Sequence, residues 1–125
     1  MARTLIVGTG GFLGAAARYL VGGAVYRYLP ASFPYATVII NVSGCFGIGF
    51  LAVLAEERLV LGPSARLFWM LGVLGGYTTF STFGYETMAL AREGSFTLAS
   101  LNVISQVLLG LLGVWLGGVA ARGLL

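Results

Sequence analysis

The chain has 125 residues, of which 58% are hydrophobic and 9% charged, and its mean hydropathy is +0.97. A soluble domain carries about 25% charged residues, so these values exclude an ordinary water-soluble fold. Seven Arg and four Glu, with no Lys, His or Asp, give a net charge of +3 too scattered for a nucleic-acid patch; the lone Cys45 without His or Asp leaves no internal disulfide, usual zinc site, Ser/His/Asp triad or redox pair, so an enzyme is not expected.

A membrane-spanning helix needs about 20 mainly apolar residues, so the length holds four spans with short links in a single domain. They are predicted over 4–29, 35–55, 67–91 and 98–121, separated by Pro30 to Pro34, by Glu56 to Arg66 with Pro63, and by Arg92 to Thr97. An even number of spans puts both ends on one side. Arg3, Arg58, Arg66 and Arg122 then lie on that side, Arg27 and Arg92 on the other. So weak a bias fits insertion in both orientations with pairing as an antiparallel dimer, and equally a single orientation set by four Arg.

The first run begins with Arg3 and carries Ala15, Ala16 and Ala17, as a secretory leader does, but apolar sequence resumes after Arg18 and continues to Leu29, which suits one long span better. Gly8, Gly11 and Gly14 after Thr4-Leu5-Ile6-Val7 imitate a dinucleotide-binding turn. That fold needs an acid about 20 positions later, whereas the first acid here is Glu56. Small residues three or four apart instead let membrane helices approach closely. The pattern recurs at Gly44, Gly47 and Gly49, at Gly72, Gly75 and Gly76, and at Gly110, Gly113 and Gly117.

Polar side chains inside a span are costly and mark functional positions. In the second run stand Thr37, Asn41 and Ser43. The Asn41 amide has two donors for a small anion, while an interhelical hydrogen bond is its plainer use and the one favoured on the residue alone. The third run is interrupted by Gly75-Gly76-Tyr77-Thr78-Thr79-Phe80-Ser81-Thr82-Phe83-Gly84, all poor helix formers but the aromatics. This stretch is predicted to unwind, freeing carbonyls for a cation and amides for an anion. Phe80 and Phe83 share a helix face, and their positive ring edges beside Ser81 and Thr82 suit an anion. In the fourth run Asn102, Ser105 and Gln106 form one stripe, which serves a pore or a partner helix equally well. Arg18 and Glu86 are ionisable residues within apolar runs, open to a role at a pore mouth or gate and equally to pairing with each other.

These residues resemble a known family. Gly10-Gly11-Phe12-Leu13-Gly14 with Arg18-Tyr19, Asn41-Val42-Ser43-Gly44, and Gly75 to Phe83 with Glu86 match, in order and spacing, the bacterial fluoride channels called Fluc or CrcB, over nearly the whole chain. The resemblance implies an all-α integral membrane protein of the cell (inner) membrane. It would have four transmembrane helices per subunit, the third broken, and form an antiparallel, dual-topology homodimer with two narrow pores at its interface. By position, Phe80 and Phe83 would be the aromatic box that meets fluoride, Asn41 the pore asparagine, Ser81 and Thr82 a hydroxyl track, Arg18 the vestibule base and Glu86 the acid after the break. A structural sodium ion on the dimer axis would be held by main-chain carbonyls of Gly75 and Thr78. The polar positions of the fourth span do not align securely with the family.

Two other classes fit the sequence less well. A small multidrug exporter also has four short helices, but those proteins resemble one another in using a glutamate in the first span, and no acid precedes Glu56 here. A non-transporting assembly subunit accounts for the Gly-rich faces but not for a hydroxyl-rich break.

Overall fold

The computed structural model describes residues 1–124, and every regular element among them is helical. Helix α1, Ala2–Val25, has 24 residues and is about 36 Å long, enough to cross the apolar core of a bilayer. It ends at Val25 rather than at the expected Leu29. Arg27 N–H bonds the Ala24 carbonyl and Tyr28 N–H the Val25 carbonyl, tightening the chain into turns before Pro30, which has no N–H to extend a helix.

Helix α2, Tyr35–Ala52, continues through wider π-type turns over Val53–Glu57, two residues past the expected Ala55. The widened ladder is held from outside, since the Arg66 guanidinium donates to the Ala55 carbonyl and to the Leu61 carbonyl.

The third pass is assembled from pieces. Helix α3, Pro63–Arg66, starts on a Pro at its first turn, where the missing N–H costs nothing, and so precedes the expected Leu67. Leu67–Leu74 follows in π-type turns, then α4, Gly75–Tyr77, then extended residues Thr78 and Thr79, then α5, Phe80–Arg92. Gly94 adopts φ 80, and Gly94 N–H and Ser95 N–H bond the Ala91 and Leu90 carbonyls. This left-handed cap lets the chain reverse into α6, Phe96–Leu124, which is longer at both ends than the expected span.

Helix α1 packs on Leu67–Leu74 and α4, α2 packs on α6, and α5 closes against α6. Glycine makes the α2–α6 approach possible: a Cβ on Gly117 would collide with the Phe46 carbonyl, and one on Gly49 with that of Val114. Gly117→Val is therefore expected to destabilise the protein by about 1–3 kcal/mol or more through overpacking, visible as a lower Tm in detergent.

Large apolar side chains of α6, including Leu101, Ile104, Leu108, Leu111 and Trp115, point outward, while its buried positions are mostly Gly and Ala. That inversion suits lipid as the surrounding medium. Ala2–Val25, Tyr35–Glu57 and Phe96–Leu124 are each long and apolar enough to cross a membrane as uninterrupted helix.

Candidate functional site

The site is built on the break between α4 and α5. Thr78 has φ −80 and ψ 160, and Thr79 has φ −152 and ψ 117, extended conformations that β-branched residues adopt easily. Two extended residues strand the backbone groups of the break, and the Asn41 side chain of α2 replaces the missing ladder. Thr79 N–H donates to Asn41 Oδ1 at 2.8 Å, and Asn41 Nδ2 donates to the Thr79 carbonyl at 3.0 Å. The other Asn41 N–H donates to Gln106 Oε1 at 2.7 Å, so both amide donors are committed.

Thr79 also starts α5. Its Oγ1 accepts from Thr82 N–H at 3.2 Å, which caps the helix, and donates to Thr82 Oγ1 at 3.0 Å, with Ser81 Oγ 3.3 Å away. In an unbroken helix Thr79 N–H and Thr82 N–H would serve the carbonyls of Gly75 and Thr78. Here they serve Asn41 and the Thr79 hydroxyl, which releases those two carbonyls from the ladder.

Two clefts flank the break. A groove of about 390 Å³ is lined by Asn41, Thr78, Thr79, Phe80, Phe83 and Gln106 among others. The second, about 850 Å³, is lined by Arg18, Arg27, Thr37, Thr79, Ser81 and Thr82 among others. Thr79 belongs to both. The rings of Phe80 and Phe83 lie 5.4 Å apart, tilted by 53°, and Phe80 is 83% exposed, presenting its ring at the open side of the groove.

The candidates thus fall into two groups: Asn41, Phe80 and Phe83 on one side, Arg18, Ser81 and Thr82 on the other. Glu86 joins neither directly. Its Oε1 accepts from Thr37 Oγ1 at 2.9 Å, its Oε2 is buried with no partner among the described residues, and it lines a third cleft with Tyr26, Ser32 and Tyr85. The pairing of Arg18 with Glu86 left open by the sequence does not form. The ion pair found among the described residues joins Arg122 to Glu57, 2.5 Å apart at the edge of the bundle.

Of the fourth-span stripe, Asn102 and Gln106 turn into the bundle, with Gln106 Nε2 donating to Asn102 Oδ1 at 3.0 Å and Asn102 Nδ2 donating to Thr87 Oγ1 at 2.9 Å. Ser105 bonds back to the Asn102 carbonyl. Sequence reasoning alone does not mark Thr79 or Thr87 as site residues. The signal for Thr79 is the cap pattern of a hydroxyl three residues before Thr82; Thr87, four after Phe83, carries none beyond being a further hydroxyl in the span.

Fold and site together define a multi-pass membrane protein whose polar groups gather at a broken helix between two clefts. Comparison with known proteins narrows the class. The family model described as "CrcB-like protein, Camphor Resistance (CrcB)" matches residues 5–118. The "Fluoride-specific ion channel FluC" of Solibacter usitatus is 48% identical over 118 residues, covering 94% of this chain and 97% of that protein. Proteins of the same name from Geobacter sulfurreducens and Opitutus terrae are 44% and 43% identical, each over 99% of this chain and over 100% and 96% of their own length. The chain belongs to the CrcB family.

Proposed function

We propose that this protein is a fluoride-selective channel that lets fluoride leave the cell passively, and that the break at Thr78 and Thr79, carrying Phe80 and Phe83 between two clefts, is the core of its pathway. The observation that carries this reading is the full-length similarity to fluoride-specific channels in a chain whose polar groups gather at that break. Fluoride is small and strongly hydrated, so a selective pore must replace its water with close donors while excluding wider halides. The hydroxyls of Thr79, Ser81 and Thr82 and the ring edges of Phe80 and Phe83 are such groups. Arg18 in the wider cleft draws anions toward them, and Glu86, held by Thr37, acts at the mouth or gate. Because both N–H groups of Asn41 are bonded, an anion reaches Asn41 by displacing an acceptor, and the residue exchanges bonds rather than offering a free donor. A negative cell interior expels an anion at about 2.3 kcal/mol per 100 mV, so no energy source or catalytic residue is needed.

The working unit in this reading is an antiparallel, dual-topology homodimer in the cell (inner) membrane, with two pores at the interface. The exposure of Phe80 and the empty space beside the Gly75 Cα support a second copy approaching this face. Sodium on the dimer axis fits the residues present, since the Gly75 and Thr78 carbonyls, released by the break, are the hard oxygen donors such an ion needs. When bound, it would supply positive charge that ties the two breaks together. Exchanging sodium for a bulky organic cation during purification is expected to weaken fluoride release; full activity without sodium or other small cations would remove the ion from the proposal.

The channel itself is tested by purified protein in fluoride-loaded liposomes, with potassium and valinomycin setting the potential and an electrode following release. Rapid fluoride loss with chloride retained is expected. Well-folded protein that releases neither would return the chain to an assembly role.

A further inference from the structure

We propose that Asn102, with Thr87, is a positioning residue for the aromatic segment, acting through a one-way chain of hydrogen bonds that starts at the Thr79 N–H and ends on the Phe83 carbonyl. The links run from Thr79 N–H to Asn41 Oδ1 at 2.8 Å, Asn41 Nδ2 to Gln106 Oε1 at 2.7 Å, and Gln106 Nε2 to Asn102 Oδ1 at 3.0 Å. They continue from Asn102 Nδ2 to Thr87 Oγ1 at 2.9 Å and from Thr87 Oγ1 to the Phe83 carbonyl at 2.8 Å. A backbone N–H can only donate and a carbonyl can only accept. The two ends therefore fix the orientation of all three amides between them, and turning any one over breaks two links.

The route leaves α5 at its cap, crosses α2 and α6, returns to α5 at Thr87 about two turns later, and steps back one turn to the Phe83 carbonyl. It brackets Phe80 and Phe83, beginning at the residue before the first ring and ending on the backbone of the second. Its central member is sealed: Asn102 is 0% exposed, so none of its polar atoms has water as an alternative partner. Bonds aligned head to tail strengthen one another in a low-dielectric interior, which makes the chain stiffer than separate contacts would be. No link of α6 touches the rings, yet α6 sets the angle at which the segment carrying them leaves the break. Asn102 and Thr87 need not meet the anion; they hold Gln106 and, through it, Asn41.

This inference rests on the channel reading for its effect on transport, so its test has one readout that needs no fluoride. Thr87→Val keeps the shape and removes the hydroxyl; Thr87→Ser keeps the hydroxyl and removes a methyl group. Positioning predicts that Val slows fluoride release about tenfold, the effect of one net buried hydrogen bond, while Ser stays near wild type. It also predicts faster deuterium exchange over residues 78–83 in Val but not in Ser. The reverse order, with Ser impaired and Val normal, would make both residues packing and overturn the proposal, as would unchanged exchange in Val.

A double-mutant cycle gives the second arm. Gln106→Leu should impair release, and adding Asn102→Leu should cost little more, because the two act through one path. Independent, multiplying losses would overturn the proposal. Should Asn102→Leu fail to assemble, the Thr87 pair decides. Should the wild type release no fluoride, the channel reading falls and the exchange measurement alone judges the positioning.

Discussion

Asn41→Ala should slow fluoride release about a hundredfold and lower the Tm, and Asn41→Asp should be worse for release although it is closer in shape. The alanine variant leaves Thr79 N–H, the Thr79 carbonyl and Gln106 Oε1 without their partners at once. Each unsatisfied buried group costs about 1–3 kcal/mol, reduced here to the extent that water enters from the groove. Aspartate keeps an acceptor for Thr79 N–H, but its second oxygen faces two further acceptors, the Thr79 carbonyl and Gln106 Oε1, and it places negative charge beside the proposed anion path. Release from liposomes and thermal unfolding, measured on the same preparations, separate the two effects. Wild-type rates in both variants would leave Asn41 as an interhelical splint and remove it from the pathway.

That splinting role is the plainer use the residue itself suggests, and the structure contains it in full. The site was legible where composition alone dictates geometry. A run of Gly, Thr and Ser inside an apolar segment holds an even helix poorly, and the break falls within it, at the two adjacent threonines whose branched side chains favour extended backbone. Helix ends were less legible because capping outside the run decides them: Pro63 starts the third pass early, and Arg66 supports the wide turns that carry the second pass to Glu57. The fourth-span stripe was open for another reason. Spacing places Asn102, Ser105 and Gln106 on one face but does not say what that face meets, which depends on how closely α2 and α6 approach through Gly49, Gly113 and Gly117. Arg18 and Glu86 were equally undecidable from spacing, because they lie on α1 and α5, whose neighbours spacing does not give: α1 approaches Leu67–Leu74 and α4 through Gly10, Gly14, Gly72 and Gly76, while α5 closes against α6, and the fold sends the two residues to different clefts.

Phe80→Ile and Phe83→Ile should each slow fluoride release about tenfold or more while the protein still assembles and unfolds within a few degrees of wild type. Isoleucine keeps apolar bulk but lacks the positive ring edge, so the change removes the electrostatic partner proposed for the anion and little else. Phe80 in particular is 83% exposed in the single chain, so its replacement removes few contacts within the subunit. The two ring centroids sit 5.4 Å apart, and in the proposed pathway one desolvated ion meets both edges. The double variant should then lose less than the product of the single losses, since an ion already deprived of one edge gains little from the other. Full multiplication would mean two separate stations along the path, each ring acting on its own ion. Unchanged flux in both single variants would reduce the pair to packing and leave selectivity to the hydroxyls of Thr79, Ser81 and Thr82.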